Sequence, residues 1–244
     1  MYELKRKVGI LLGGNAEKIK KFKIVKKALS YINLKHSEKR NIVVQNYGLE
    51  AMKIICEECR KRNISIWLDF GTLLGYYREK KFISFDIDLD FGIYAEDQEK
   101  FAEVRESLLK KGFLYTRRFE YDHQLVEESF SYNDLNIDVV YYIKKEAVKN
   151  IMSYLIVYAM DMNKKPIDIQ GYEEENNITV LEATQFMGVD VMVPQNTEEY
   201  LKNYYGEDFM TPIPNFDWKN SGLYKELEDS SKCRAIVYEN ENSK

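Results

Sequence analysis

Residues 85–92 read FDIDLDFG, three aspartates alternating with apolar residues. In an extended chain that alternation sends Asp86, Asp88 and Asp90 to one face and Phe85, Ile87, Leu89 and Phe91 to the other. Successive carboxylates then stand roughly 7 Å apart and repel one another when ionised. Divalent cations relieve such repulsion, and hard oxygen donors suit Mg²⁺ or Mn²⁺. Calcium in an EF-hand loop is excluded. Counted from Asp86, the positions that need glycine and glutamate hold Phe91 and Asp97. The competing structural reading is a solvated strand face.

The flanks add donors of the right kind. Upstream, a strand at 64–70 runs into Gly71-Thr72, where a bare Cα lets backbone amides approach a phosphate and the threonine adds a hydroxyl. Arg78 follows as a candidate phosphate clamp or as an ion-pair partner of the acidic strand. Downstream, LNIDVVYY sets Asp138 alone among apolar residues, where an unpaired carboxylate is costly, and makes it a third ligand beside the acidic strand. Asp69 either faces this site or caps the turn. His123 is read as a surface or packed histidine rather than an acid or base. Among nineteen tyrosines, Tyr76, Tyr77, Tyr204 and Tyr205 could stack on a base or sugar, and core packing competes with that role.

The elements that must position these residues follow from periodicity. Helical spacing over 15–32 gives a lysine-studded amphipathic helix. A second helix is expected from an Asn46 N-cap to Arg62, with Leu49, Met52, Ile55, Cys56 and Cys59 facing inward. A short helical turn follows Gly71, and a strand spans 82–94. A helix over 96–111, with Phe101, Val104, Leu108 and Leu109 inward, stops at Gly112. Strands are expected at 113–121, 123–132 and 135–143. The run 153–160 is strand or buried helix, and 180–194 reads as strands. A last helix runs from Thr197 to Gly206. Three parts result: a basic N-terminal helical segment (1–45), a catalytic domain (46–225) and a loosely held polar tail (226–244).

The chain has 244 residues and a net charge of −4, yet residues 1–40 hold twelve basic residues against three glutamates, a local charge of +9. A basic end on an acidic body fits contact with an anionic membrane or polymer, with a solvated helix face as the alternative. Nucleic acid is not expected as a partner, because the basic segment lacks interleaved aromatics. No signal peptide or membrane span is visible, which points to the cytoplasm, with any membrane contact peripheral and at the inner face. Cys56, Cys59 and Cys233 suit a reducing compartment and packing rather than zinc.

The block WLDFGTLLGYYREKKFISFDIDLDFG resembles the LicD / fukutin-related group of the nucleotidyltransferase superfamily. VPQNTEEYLKNYYGEDFMTP is similar to that group's closing element, so the likeness covers roughly residues 46–214. It implies a mixed α/β (α+β) fold, a nucleotidyltransferase-like mixed sheet flanked by helices. It also implies Mg²⁺- or Mn²⁺-dependent transfer of a phospho-alcohol from a CDP-activated donor to a sugar hydroxyl, on a glycan of lipopolysaccharide, teichoic acid or capsule type. On the family pattern Asp88 and Asp90 are the core metal pair and Asp86 supports them. Asp138 is the third carboxylate, ligand or base. Gly71, Thr72 and Arg78 hold phosphate. Ser84-Phe85 stands where the family often has Pro-Trp, and Glu79-Lys80-Lys81 where it often has His-Lys-Gly, which leaves donor and acceptor preference open. Two other readings compete: transfer of a nucleoside monophosphate from an NTP to a small-molecule hydroxyl, and a binding protein that keeps the fold without catalysis.

Overall fold

The computed structural model describes residues 40–144, 152–158, 170–178, 180–213, 216 and 223–238. The expected helix at 15–32 and most of the basic segment lie outside them. Helix α1 covers residues 40–60. It is followed by β1 (Ile66–Leu68), α2 (Phe70–Arg78), β2 (Asp88–Tyr94) and, after one 3-10 turn, α3 (Gln98–Lys110). Then come β3 (Leu114–Tyr121), β4 (Gln124–Tyr132), β5 (Leu135–Lys144), β6 (Met152–Tyr158), β7 (Gln170–Asn176), β8 (Leu181–Phe186) and β9 (Val189–Pro194). Helix α4 (Thr197–Tyr205), β10 (Tyr224–Glu226) and β11 (Cys233–Val237) close the chain.

One mixed sheet of eleven strands runs β10-β7-β6-β5-β2-β1-β9-β8, with β11-β3-β4 attached to β5 through β4. The parallel pairs are β2 with β5 and β1 with β9; the rest are antiparallel. Helices cover both faces. Helix α3 lays Phe101 against Phe130 and Tyr141, and α1 joins it through the contact of Ser107 with Glu58. Helices α2 and α4 cover the other face, where Tyr200 meets Tyr142. The expected α+β class, a mixed sheet flanked by helices, is what the chain forms.

Several local expectations are corrected. Helix α1 is already helical at residue 40, so Asn46 is an exposed interior position and not a cap, and the 45/46 boundary falls inside one helix. Leu49 and Leu109 are exposed, so the buried stripes are narrower than expected. The acidic strand begins at Asp88, not at residue 82; residues 82–87 form a turn held by the Asp86 N–H to Ile83 carbonyl bond. Phe85 and Ile87 therefore leave the core and face a cavity, while Leu89 and Phe91 remain buried. The tail is not loose through residue 238, since β11 pairs with β3 over five residues and buries Cys233. Gly112 and Gly206 end their helices at φ +90°, a conformation that favours glycine.

Candidate active site

The short strand β1 hands the chain to Asp69 and then to α2, which packs against β2. This arrangement brings the GT turn under the aspartates. Beyond Gly71, an added Cβ would stand 2.8 Å from Asp86 Oδ2, so the missing side chain is what admits that carboxyl to the first turn of α2. The positive end of a helix there suits a carboxylate. Thr72 is buried, and its Oγ1 accepts the Asp90 N–H at 2.9 Å. It braces the acidic strand and does not line the cavity.

The parallel ladder sets Asp90 directly opposite Asp138, and the antiparallel one sets Asp138 opposite Ser129. Alternation puts Asp88, Asp90, Asp138, Ser129 and Glu127 on one face of the sheet. Asp86 Oδ1 accepts the Ile87 N–H at 3.0 Å. Enclosure by protein, then mutual repulsion, drives these groups upward. Asp88 is raised to about 6 by desolvation and the charge of Asp138. Asp86 and Asp90 lie well above the usual carboxylate range, through desolvation and then the charge of Asp88. Buried Glu127 is raised to about 8 by desolvation and Asp138.

Two arginines answer part of this charge. Arg40 at the start of α1 reaches Asp88 at 3.6 Å, and Arg117 on β3 stands 3.4 Å from Asp138 and 3.3 Å from Glu127. Helix α1 also fastens the turn before β2. Asn41 donates to the Asp86 and Ile83 carbonyls, and Gly48 lets the Phe82 ring lie against the helix, where a Cβ would be 2.9 Å from it.

On the other side of Asp86 and Asp90 lies a cavity of about 300 Å³. Its walls include Phe70, Phe85, Tyr204, Tyr205, Phe209 and Phe216, with Gly71 and Arg78. Phe70 adopts φ +38°, a left-handed conformation that costs a residue with a Cβ about 1 kcal/mol, and its ring lies 5.1 Å from that of Tyr204. Arg78 is nearly buried. It pairs with Glu79 at 2.8 Å and donates to the Phe209 carbonyl at 3.3 Å, and no ion pair with the acidic strand forms.

Fully buried Asp69 is both cap and anchor, and burial raises it to about 6 against its hydrogen bonds. His123 sits exposed in the β3–β4 turn, away from these groups. Cys56 and Cys59 are buried and free, and burial pushes the Cys56 thiol to about 12. Tyr76 and Tyr77 lie outside the cavity wall.

Of the seven expected site residues, the structure gathers Asp86, Asp88, Asp90 and Asp138, sets Gly71 and Arg78 on the cavity, and turns Thr72 into a brace. Among the described residues, no three His, Cys, Asp or Glu side chains converge tightly enough to form a finished metal cluster. The donor set still suits a hard cation: it is all oxygen, crowded, and under-compensated by the two arginines. Arg40, Arg117 and Glu127 were missed. The only local signal was Glu127-Glu128 in an apolar strand, where alternation must send the two carboxylates to opposite faces.

A mixed sheet that aligns carboxylates on parallel neighbours beside a short helix and a cavity is compatible with a nucleotidyltransferase-type domain, the class that the family model names. The family model "LicD/FKTN/FKRP, nucleotidyltransferase domain" matches residues 63–196, more than half of the chain, and the chain belongs to that family. Ribitol-5-phosphate transferase FKTN of Mus musculus is 22% identical over 181 residues, covering 74% of this chain and 37% of that protein. Ribitol 5-phosphate transferase FKRP of Homo sapiens is 26% identical over 162 residues, 64% of this chain and 30% of that one. An uncharacterised Rickettsia prowazekii protein is 32% identical over 192 residues, 78% and 60% of the two chains. The chain thus spans only 35% to 37% of the length of the FKTN relatives. Among solved structures, the Megavirus polyadenylate synthase overlaps 49% of this chain and 26% of its own, at 20% identity and a TM-score of 0.29. No described helix is long and apolar enough to cross a membrane.

Proposed function

We propose that this protein transfers a phospho-alcohol group from a CDP-activated donor to a sugar hydroxyl of a glycan, with Mg²⁺ or Mn²⁺ held by Asp86, Asp88, Asp90 and Asp138. The observation that carries the reading is the alignment of Asp90 with Asp138 across the β2–β5 ladder, beside the cavity and within the family's domain. The relatives named as ribitol-5-phosphate transferases support the reaction class.

The chain's own groups divide the work. Thr72 holds the Asp90 backbone, and the N-terminal turn of α2 faces the carboxyl of Asp86. Arg78, anchored by Glu79 and Phe209, offers positive charge at the cavity wall for the donor's diphosphate. Asp138 stands where it can hold the cation or accept the proton of an acceptor hydroxyl. A bound divalent cation would neutralise charge on the transferred phosphoryl group and the leaving CMP. The basic segment within residues 1–40 would hold the protein against an anionic membrane or polymer on the cytoplasmic side, near a glycan acceptor.

The test is CMP release from a panel of CDP-alcohols with Mg²⁺ or Mn²⁺, for wild type and Asp88→Asn. Metal-dependent release from one donor, lost in the variant, is the expected result. Pyrophosphate release from an NTP, with every CDP-alcohol inert, would replace this reading with nucleotidyl transfer.

A further inference from the structure

Asp69 is the buried carboxylate that the transfer chemistry leaves unused. Burying a carboxylate is far costlier than burying an apolar side chain of similar size, so its partners must explain it. The Phe70 N–H donates to its Oδ1 at 2.9 Å, the Tyr142 hydroxyl donates to Oδ2 at 2.6 Å, and the Tyr200 hydroxyl also donates to Oδ1. Its own N–H donates to the Asp90 carbonyl at 3.1 Å.

These anchors fall into two groups. Asp90 and Tyr142 belong to β2 and β5, the strands that carry the acidic residues; Tyr142 shares the face of Asp138 four residues earlier. Phe70 and Tyr200 belong to α2 and α4, which carry the cavity wall. Tyr200 lies one helical turn before Tyr204, whose ring touches Phe70. The bond to Phe70 N–H also pins a residue in a left-handed conformation. An apolar residue at 69 could fill the volume but could not direct bonds to both sides.

We propose that Asp69 is a positioning residue that sets the spacing between the metal-side carboxylates and the aromatic wall of the cavity. The use of that spacing, to align a cation with a bound donor, rests on the transfer reading above; the coupling itself does not. Asp69→Asn keeps the volume but removes the charge that strengthens both tyrosine bonds, and the hydroxyl facing the new amide nitrogen must turn from donor to acceptor. Tyr200→Phe removes the bond on the α4 side alone.

Hydrogen exchange on the full chain reads the coupling, and calorimetry with Mn²⁺ and then CDP reads its consequence. In Asp69→Asn, exchange quickens at both 88–90 and 197–205 while α3 is unchanged, and Mn²⁺ binding weakens about tenfold. In Tyr200→Phe, exchange quickens in α4 alone, and CDP binding weakens while Mn²⁺ binding is kept. If Asp69→Asn does not fold, Tyr200→Phe decides. Faster exchange in every element alike, or binding and exchange equal to wild type, overturns the inference. Wild type that binds no CDP, with the exchange pattern as stated, removes the donor reading and upholds the coupling.

Discussion

Buried and half-buried carboxylates occur on both faces of the sheet, and they live in opposite surroundings. Between α1 and α3, Glu58 accepts from Lys61 at 2.6 Å, Ser107 at 2.7 Å and Arg62 at 2.9 Å, and these bonds, Lys61 first, hold it down to about 2. Under α3, Glu128 is fully buried but takes both prongs of Arg105, at 2.7 and 2.8 Å, and the Tyr141 hydroxyl at 3.0 Å. Across the sheet, Asp86, Asp88, Asp90, Asp138 and Glu127 share two arginines, and four of the five are pushed upward by enclosure and by one another. Glu128 and Glu127 are chain neighbours, yet one is satisfied and the other crowded. Carboxylates with full sets of donors hold the architecture together; carboxylates left short of positive charge mark where a cationic ligand has something to gain.

Substitutions should therefore separate stability from activity in opposite directions. The largest effect is expected for Asp88→Asn: CMP release falls by about a thousandfold, while the metal-free melting temperature holds or rises because repulsion is relieved. A large drop in melting temperature would mean that Asp88 is architectural after all. Next, Glu128→Gln should lower stability by about 2 to 3 kcal/mol, since Arg105 loses its counter-charge and is partly rescued by solvent. A loss of unfolding free energy in urea below about 0.5 kcal/mol would erase the contrast. Gly71→Ala should improve the helix but drive a methyl against Asp86, so CMP release falls about tenfold with no loss of melting temperature. Unchanged release would show that Asp86 has room to move.

The smallest effect is in pH dependence, and its sign differs between the two regions. Glu58 is lowered from 4.5 to about 2, so its contribution is complete above 4.5 and lost as pH falls toward 2. Asp69 is raised from 3.8 to about 6, so the folded state binds its proton more tightly. That contribution is present below 3.8 and lost as pH rises through 6. Denaturation curves across both windows should lose the acid-side slope in Glu58→Gln and become shallower, without going flat, in the upper window in Asp69→Asn, because Asp88, also raised to about 6, still titrates there. A variant that keeps its slope assigns the titration to another group.

Much of the site was legible because its signals are local. The GTLLG-to-DxDxD block, the isolated Asp138 in an apolar run and the hairpins of β3, β4 and β5 all lie within short windows whose period is set by the backbone. Strand β7, rich in glutamate, and β11, in a polar tail, carry no such period. They became strands by pairing with partners distant in the chain. Glu127 and Arg117 escaped notice for the same reason, since each gains meaning only from Asp138.

What the sequence determined alone was the chemistry available: an acidic alternation, a glycine turn, a lone strand aspartate and the family to which they belong. The tertiary structure decided which groups use it. It made Thr72 a brace for the acidic strand, made Asp69 a four-point anchor as well as a cap, and tied Arg78 to Glu79 and Phe209. The physical reason is that a side chain's type is a local property. Its burial, its charge balance and its hydrogen-bond partners arise only when elements far apart in the chain are brought together.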